Sequence, residues 1–284
     1  MQNEKDLLQK FIKDALLEDI GDGDHTSLST IPAGKEGEAQ LIIKEEGVLA
    51  GVEVALEIFK AVDPELKVEV FLKDGAEVKP KDIALKVRGK VYSILTAERL
   101  VLNTMQRMSG IATTTRRIAK ALESTNTKVL DTRKTTPNMR FLEKAAVQIG
   151  GGVNHRFGLY DMILIKDNHV DYAGGIKQAL NAAKNYIREK NKNIQIEIEV
   201  RNLSELQEVI ECGEVDRILL DNFDFGTLKE AVELVNGRFV TEASGGITEQ
   251  NVLQYAQCGV DYVSMGALTH SVKSLDMSLK ALKS

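Results

Sequence analysis

The sequence predicts an α/β protein in two parts, with half-buried antiparallel strands first and repeated strand–helix units after them. Three observations carry this expectation. Glu38–Glu46, Leu66–Leu72 and Ile83–Arg88 alternate apolar and polar residues, as strands do when one face meets a core and the other meets water. From Val129 onward, short apolar runs at Val129–Leu130, Met162–Ile165, Ile194–Val200, Arg217–Leu220, Arg238–Thr241 and Asp261–Ser264 are separated by stretches of helical period. Each of these runs leads into a charged or glycine-bearing tip.

In the first part, Glu53–Ala61 reads as a helix lying on the alternating strands. Val91 to about Met108 reads as a long helix leading towards the second part. The later runs are short, as strands of a parallel sheet covered by helices are. Six recurrent units favour a closed α/β barrel over an open sheet, and periodicity alone does not separate the two. Two helix-to-strand junctions nearly repeat, Cys212-Gly213-Glu214-Val215-Asp216 and Cys258-Gly259-Val260-Asp261. Glycine there supplies the left-handed residue that ends a helix. The tail SLDMSLKALKS has an apolar face and is expected to pack back on the first part.

Composition bounds the function. The 284 residues are 43% hydrophobic and 28% charged, with a net charge of −5, which speaks against a general nucleic-acid binder. The start, MQNEKDLLQKF, has no apolar core of a secretory signal, and no apolar run approaches the ~18 residues of a membrane span. Cys212 and Cys258 lack metal-ligand spacing, so a reduced, cytoplasmic chain is expected.

The tips hold the chemistry. They read Asp131-Thr132-Arg133-Lys134, Lys166-Asp167-Asn168-His169, Glu199, Asp221-Asn222, Ser244-Gly245-Gly246 and Gly266-Ala267. In α/β barrels the carboxyl ends of the strands form the active face, so these residues should converge on one mouth. Between Val129 and His169 there are six Arg/Lys against four Asp/Glu, inside an acidic chain. For Arg140 and Lys144, on an expected helix, a basic surface patch is the reading. Arg133, Lys134 and Lys166, at strand tips, instead suit a polyanion, arginine as a planar fork and lysine as a point charge. Glu199 and Asp221 stand at successive tips. They either neutralise those cations or hold Mg²⁺, which takes one or two carboxylates together with substrate phosphates; the metal reading is adopted. The four histidines show no zinc-ligand spacing. The late glycine tips suit a phosphate held by backbone N–H groups, with Thr248 placed to cap the following helix.

These motifs resemble one family, the quinolinate phosphoribosyltransferases. The resemblance runs over nearly the whole chain, from LEDIGDGDHTS (17–27) through Glu98-Arg99-Leu100 and Ser109–Thr113. It is densest in DTRKTTP (131–137), GGGVNHRFGLYDMILIKDNH (150–169), IEIEV (196–200), LLDNF (219–223), EASGGIT (242–248) and VSMGALTHS (263–271). It implies an amino-terminal α/β sandwich domain over 1–108, with the tail 273–284 packed back on it. It also implies an irregular carboxyl-terminal α/β barrel over 109–272, which carries the catalytic site. Matched residue by residue, Arg133, His155, Arg156 and Lys166 fall on positions that hold the quinolinate carboxylates. Lys134 falls near the phosphoribosyl pyrophosphate, and Glu199 and Asp221 near the ribose and Mg²⁺. Ser244, Gly245, Gly246, Gly266 and Ala267 fall on the cradle of the 5′-phosphate. Arg99 falls on an arginine that enters the site from the other subunit of a homodimer. The implied reaction joins quinolinate to phosphoribosyl pyrophosphate and releases carbon dioxide and pyrophosphate. It yields nicotinate mononucleotide for NAD biosynthesis, with Lys134, Glu199 and Asp221 as the catalytic groups. Three other readings compete, and one of them, a non-catalytic binding protein, leaves the cations and acids gathered at one mouth unexplained. A transferase for another aromatic acid needs fewer cations. A sugar-phosphate lyase or isomerase explains the glycine tips but not DTRK and NHR together.

Overall fold

The structure, a computed structural model, describes residues 4–282. The first three residues of MQNEKDLLQKF and the last two of the tail lie outside the described residues. In chain order the elements are α1 (Glu4–Ile20), α2 (His25–Thr30), β1 (Glu36–Ile43), β2 (Gly47–Val48), α3 (Val52–Val62), β3 (Lys67–Val70), β4 (Glu77–Val78), β5 (Ile83–Lys90) and α4 (Val91–Ala121). There follow β6 (Lys128–Leu130), α5 (Arg140–Ile149), β7 (Met162–Ile165), α6 (Asp167–Ala173), α7 (Ile176–Glu189), β8 (Gln195–Val200), α8 (Leu203–Cys212) and β9 (Arg217–Asp221). The chain ends with α9 (Phe225–Val235), β10 (Val240–Ser244), α10 (Val252–Gln257), β11 (Tyr262–Ser264), α11 (Ala267–His270) and β12 (Met277–Ala281).

Two units share these elements. One takes Met1–Arg116, Thr135–Gly151 and Leu268–Ser284, and the other takes Arg117–Lys134 and Gly152–Ala267. Residues 135–151, which the sequence reading grouped with the barrel, fall in the first unit.

The first unit is built on an antiparallel sheet in the order β12-β1-β5-β3. Alternation sends Ala39, Leu41 and Ile43 of β1 inward, and α3 adds Val52, Ala55, Ile58 and Phe59 to the apolar layer. β12 pairs with β1 in the register Leu41↔Leu279. The long helix α4 starts directly after β5 and runs well past Met108, with Ile94, Ala97, Val101, Met105, Met108 and Ala112 buried at helical spacing. Ser109 Oγ on this helix accepts the Ala50 N–H at 2.8 Å and donates to the Ala50 carbonyl at 3.1 Å.

Helix α5 corrects one expectation. Lys144, read from sequence as part of a surface patch, is 1% exposed, and its neighbour Glu143 is wholly buried. The two residues sit on the inward face of the helix beside Leu142, Ala146 and Val147. Glu143 Oε1 accepts Arg107 Nη2 at 2.8 Å and Nε at 3.1 Å, and its Oε2 accepts the Thr136 N–H at 3.1 Å. Arg107 Nη2 also donates to the Thr269 carbonyl.

The second unit is a six-stranded sheet, wholly parallel, in the order β6-β11-β10-β9-β8-β7. The first strand pairs with the last, as in a barrel. β6 and β7, however, form the two edges, and Val153 makes a single bridge to Leu130 beside the gap. The chain between these strands supplies its helix, α5, to the other unit, which accounts for the irregularity. Gly213 (φ +61) and Gly259 (φ +93) end α8 and α10 in the left-handed region, as the repeated Cys-Gly junctions indicated. Thr248 does not cap α10. Its own N–H donates to Asn251 Oδ1 at 2.7 Å, so the turn is held by Asn251.

Arg107→Met should leave the buried Glu143 carboxylate without its ion pair and cost about 3–5 kcal/mol of stability. Urea denaturation of the variant checks this, and adding Glu143→Gln should recover part of the loss.

Candidate active site

Because all six strands of the second unit are parallel, their carboxyl ends share one edge. The register sets Ser244 beside Asp221 and Val200 beside Leu220, one residue past Glu199. Lys166 follows β7 directly and precedes α6, where the His169 ring accepts the Lys166 N–H at 3.0 Å and fixes the start of the helix. His169 is thereby a helix cap. Arg133 and Lys134 lie exposed on the loop after β6, with the Lys134 N–H on Thr132 Oγ1 at 3.0 Å.

Two groupings form at this edge. In the first, burial and then the neighbouring Arg133 cation push the Arg156 guanidinium pKa downward, the mark of two cations held close enough to repel. Arg156 Nη1 donates to the Met162 carbonyl at 3.2 Å. In the second, Lys166 Nζ stands 3.8 Å from Glu199 Oε2. Burial and then the Asp221 charge raise the Glu199 carboxyl. Asp221 is raised by burial, while Asn222, Lys166 and Lys134 oppose the shift. The structure therefore brings Lys134, Lys166, Glu199 and Asp221 into one electrostatic neighbourhood.

Asn222 and Gly245 tie the acid to the glycine loop. Asn222 adopts the left-handed region (φ +56), donates from Nδ2 to Asp221 Oδ2 at 2.6 Å, and gives its backbone N–H to the Ser244 carbonyl at 2.9 Å. A Cβ at position 245 would collide with the Asn222 side chain, and φ is +96 at Gly245 and +62 at Gly246. Only glycine tolerates both demands at 245. Gly266 and Ala267 follow β11 at the same edge. Arg99 belongs to the first unit, exposed on α4.

Beneath the edge lies a cluster that the sequence reading did not single out. Glu197 and Glu242 are buried in β8 and β10. His155 Nε2 lies 2.8 Å from Glu197 Oε2 and 3.5 Å from Glu242 Oε2, and Arg217 Nη1 lies 2.9 Å from Glu242 Oε2. The available signal was the alternation in Gln195-Ile196-Glu197-Ile198-Glu199, which places a second acid on the inward face two residues below Glu199. His155, Glu197 and Glu242 each offer a ligand atom within 4.8 Å of the others, a spacing that suits a cation. Arg217 already supplies a positive charge there. His155 is itself buried, with Nδ1 accepting the Arg156 N–H at 2.7 Å. Both ring nitrogens face protein groups here, Nδ1 the Arg156 N–H and Nε2 the Glu197 carboxyl, at the position where the family resemblance implied a hold on a substrate carboxylate.

Comparison with known proteins fits this geometry. Residues 24–109 match the family description "Quinolinate phosphoribosyl transferase, N-terminal domain", and residues 111–280 match "Quinolinate phosphoribosyl transferase, C-terminal domain". The chain belongs to the quinolinate phosphoribosyltransferase family. It is 49% identical to the chloroplastic nicotinate-nucleotide pyrophosphorylase [carboxylating] of Arabidopsis thaliana, over 96% of this chain and 82% of that one. It is 48% identical to quinolinate phosphoribosyltransferase [decarboxylating] 2b, mitochondrial, of Nicotiana tabacum, over the same shares. Among solved structures, the nicotinate-nucleotide pyrophosphorylase of Francisella tularensis superposes with a TM-score of 0.92 at 38% identity, covering 98% of this chain and 96% of that one. The family's mixed α/β plan, an amino-terminal sheet domain followed by a parallel-strand α/β domain, is the plan seen here. None of the described helices is long and apolar enough to cross a membrane.

The buried pair in this family member carries a pH signature. Burial and then the Glu197 charge push the Glu242 carboxyl up from 4.5 to about 7. A carboxyl with a raised folded pKa binds its proton more tightly when folded. Its contribution is therefore fully present at low pH and is lost as pH rises from about 4.5 through about 7. The stability of the wild type minus that of Glu242→Gln should fall by roughly 3 kcal/mol across this window and stay flat above it. Paired denaturation curves at successive pH values measure it.

Proposed function

We propose that this chain is a decarboxylating quinolinate phosphoribosyltransferase, joining quinolinate to phosphoribosyl pyrophosphate to give nicotinate mononucleotide, carbon dioxide and pyrophosphate for NAD biosynthesis. The observation that carries the reading is the pair of mutually repelling cations, Arg133 and Arg156, at the same strand edge as the acids Glu199 and Asp221. Two cations at one edge, with the Arg156 guanidinium pushed down by burial and then by the Arg133 charge, suit a small ligand with more than one carboxylate. Family membership and the names of the relatives support the same reaction.

In this mechanism, Arg133, Arg156 and Lys166 hold the two carboxylates of the pyridine, and His155 supports Arg156 from below. The pyridine nitrogen attacks ribose C1 as the bond to pyrophosphate breaks. Glu199 and Asp221 favour the positive charge that develops on the ribosyl ring, and Lys134 balances the departing charge. Ser244, Gly245, Gly246, Gly266 and Ala267 receive the 5′-phosphate through backbone N–H groups. The C2–carboxylate bond of the new pyridinium then breaks. Its electron pair remains at C2 beside the positive nitrogen, carbon dioxide departs, and a proton replaces it.

Glu199 and Asp221 fit Mg²⁺ as well, since both are hard oxygen donors and each is raised by burial. When bound, Mg²⁺ would neutralise charge on the pyrophosphate group. We also assign a homodimer in which the exposed Arg99 reaches the partner subunit's site, and a cytosolic setting that suits the free thiols Cys212 and Cys258.

Purified protein with quinolinate, phosphoribosyl pyrophosphate and Mg²⁺ should release pyrophosphate and carbon dioxide in equal amounts, and a chelator should stop turnover without unfolding the chain. Nicotinate lacks one carboxylate and leaves a cation unpaired, which should lower kcat/KM by about 2–5 kcal/mol. Equal kcat/KM for the two acids would refute the dicarboxylate reading.

Arg99→Ala and Lys134→Ala should each be nearly inactive as homodimers. Subunit exchange between them should restore about a quarter of the sites, because a mixed dimer contains one intact site. Background activity in confirmed mixed dimers would remove Arg99 from the partner's site.

A further inference from the structure

The buried cluster beneath the mouth has geometry that the proposed reaction leaves unused. Glu197 is wholly buried, and neither of its carboxylate oxygens has a hydrogen bond of ordinary geometry. Such a group is costly unless something compensates it. The nearest nitrogen is His155 Nε2, at 2.8 Å. On the opposite side of the ring, Nδ1 accepts the Arg156 N–H at 2.7 Å, while the His155 N–H donates to the buried Asp131 Oδ1 at 2.9 Å. A nitrogen that accepts an N–H bears no proton, so the ring proton belongs on Nε2, the nitrogen that lies 2.8 Å from Glu197 Oε2. The reverse assignment would set the Nε2 lone pair against a carboxylate oxygen at contact distance. Glu242, anchored by Arg217 at 2.9 Å, completes the wall around the ring.

We propose that Glu197 is a positioning residue for the Arg133–Arg156 anion site and acts through His155. Its carboxylate holds the imidazole as the neutral Nε2–H form, and the free Nδ1 lone pair then fixes the Arg156 N–H and aims the guanidinium. This rests on reading the mouth as a dicarboxylate site. The polar groups that hold His155 come from separate parts of the fold: Asp131, after β6, takes its backbone N–H, and Glu197 from β8 and Glu242 from β10 face its ring. The turn Asn154-His155-Arg156 is thereby clamped to the strands themselves and does not depend on loop packing alone. A bulk structural role would need only a filled interior. The geometry instead specifies one tautomer.

Two measurements test it on the full-length protein. With ¹⁵N-labelled histidine and no substrate, His155 should show the Nε2–H tautomer at neutral pH. Glu197→Gln, which keeps an acceptor oxygen, should preserve it, and Glu197→Leu should not. In steady-state assays, Glu197→Leu should raise KM for quinolinate by roughly three- to ten-fold, the scale of one hydrogen bond. Its kcat and its KM for phosphoribosyl pyrophosphate should stay near wild type, and Glu197→Gln should rescue the quinolinate KM. A fall in kcat with unchanged KM would mean a structural role only and overturn the proposal. Wild-type His155 found as the Nδ1–H form or as imidazolium would overturn it too, and this holds even if Glu197→Leu fails to fold. If the wild type releases no pyrophosphate, the proposed reaction fails. The tautomer spectrum, together with calorimetric titration of quinolinate into wild type and Glu197→Gln, then still decides the inference.

Discussion

The second unit depends on one constraint, the shared direction of its strands. Six parallel strands deliver all their carboxyl ends to one edge, and the ladder register fixes which tips are neighbours. Charged residues that would be costly inside a sheet are tolerated at such an edge because solvent or ligand can satisfy them. The sheet is also stiff enough to hold like charges together. Glu199 beside Asp221, each carried on a strand, is a pairing that a mobile loop would relax by moving apart.

The same strands carry polar groups below the edge. On β8, alternation puts Glu197 and Glu199 on one face, one pleat repeat apart, so a single strand supplies both a deep acid and a shallow one. The deep acid sits against His155, near the Glu242–Arg217 pair, and the shallow one faces Lys166. An interior that would otherwise be filled by branched apolar side chains is here partly ionic. Burying such groups trades stability for a defined arrangement, because each has few partners that satisfy it.

Much of this was legible in the sequence. The β7 run Met162–Ile165 and the starts of β5, α4 and β9 agree with their patterns to the residue, because alternation and apolar runs report burial directly. The strand tips were legible for the same reason, since a charged residue at the end of an apolar run marks a strand leaving the core. Other features were not. Lys144 looked exposed because lysine usually is, and a single helix gives no sign that its polar face turns inward. Glu197 was passed over in favour of Glu199 because position along a strand, and not residue type, separates a mouth acid from a core acid. The allocation of α5 to the first unit depends on long-range packing, which local pattern does not encode. Nor does a sequence show which nitrogen of His155 accepts a hydrogen bond.

The pairing of β12 with β1 bears on how the polypeptide is made. Met277–Ala281 form an edge strand of a sheet whose other members lie between Glu36 and Lys90. A ribosome therefore completes the whole second unit before it supplies the strand that finishes the first. Until then the β1 edge offers its free backbone groups to any extended chain nearby, including another nascent copy. The first unit, although synthesised first, is the last to reach its final form.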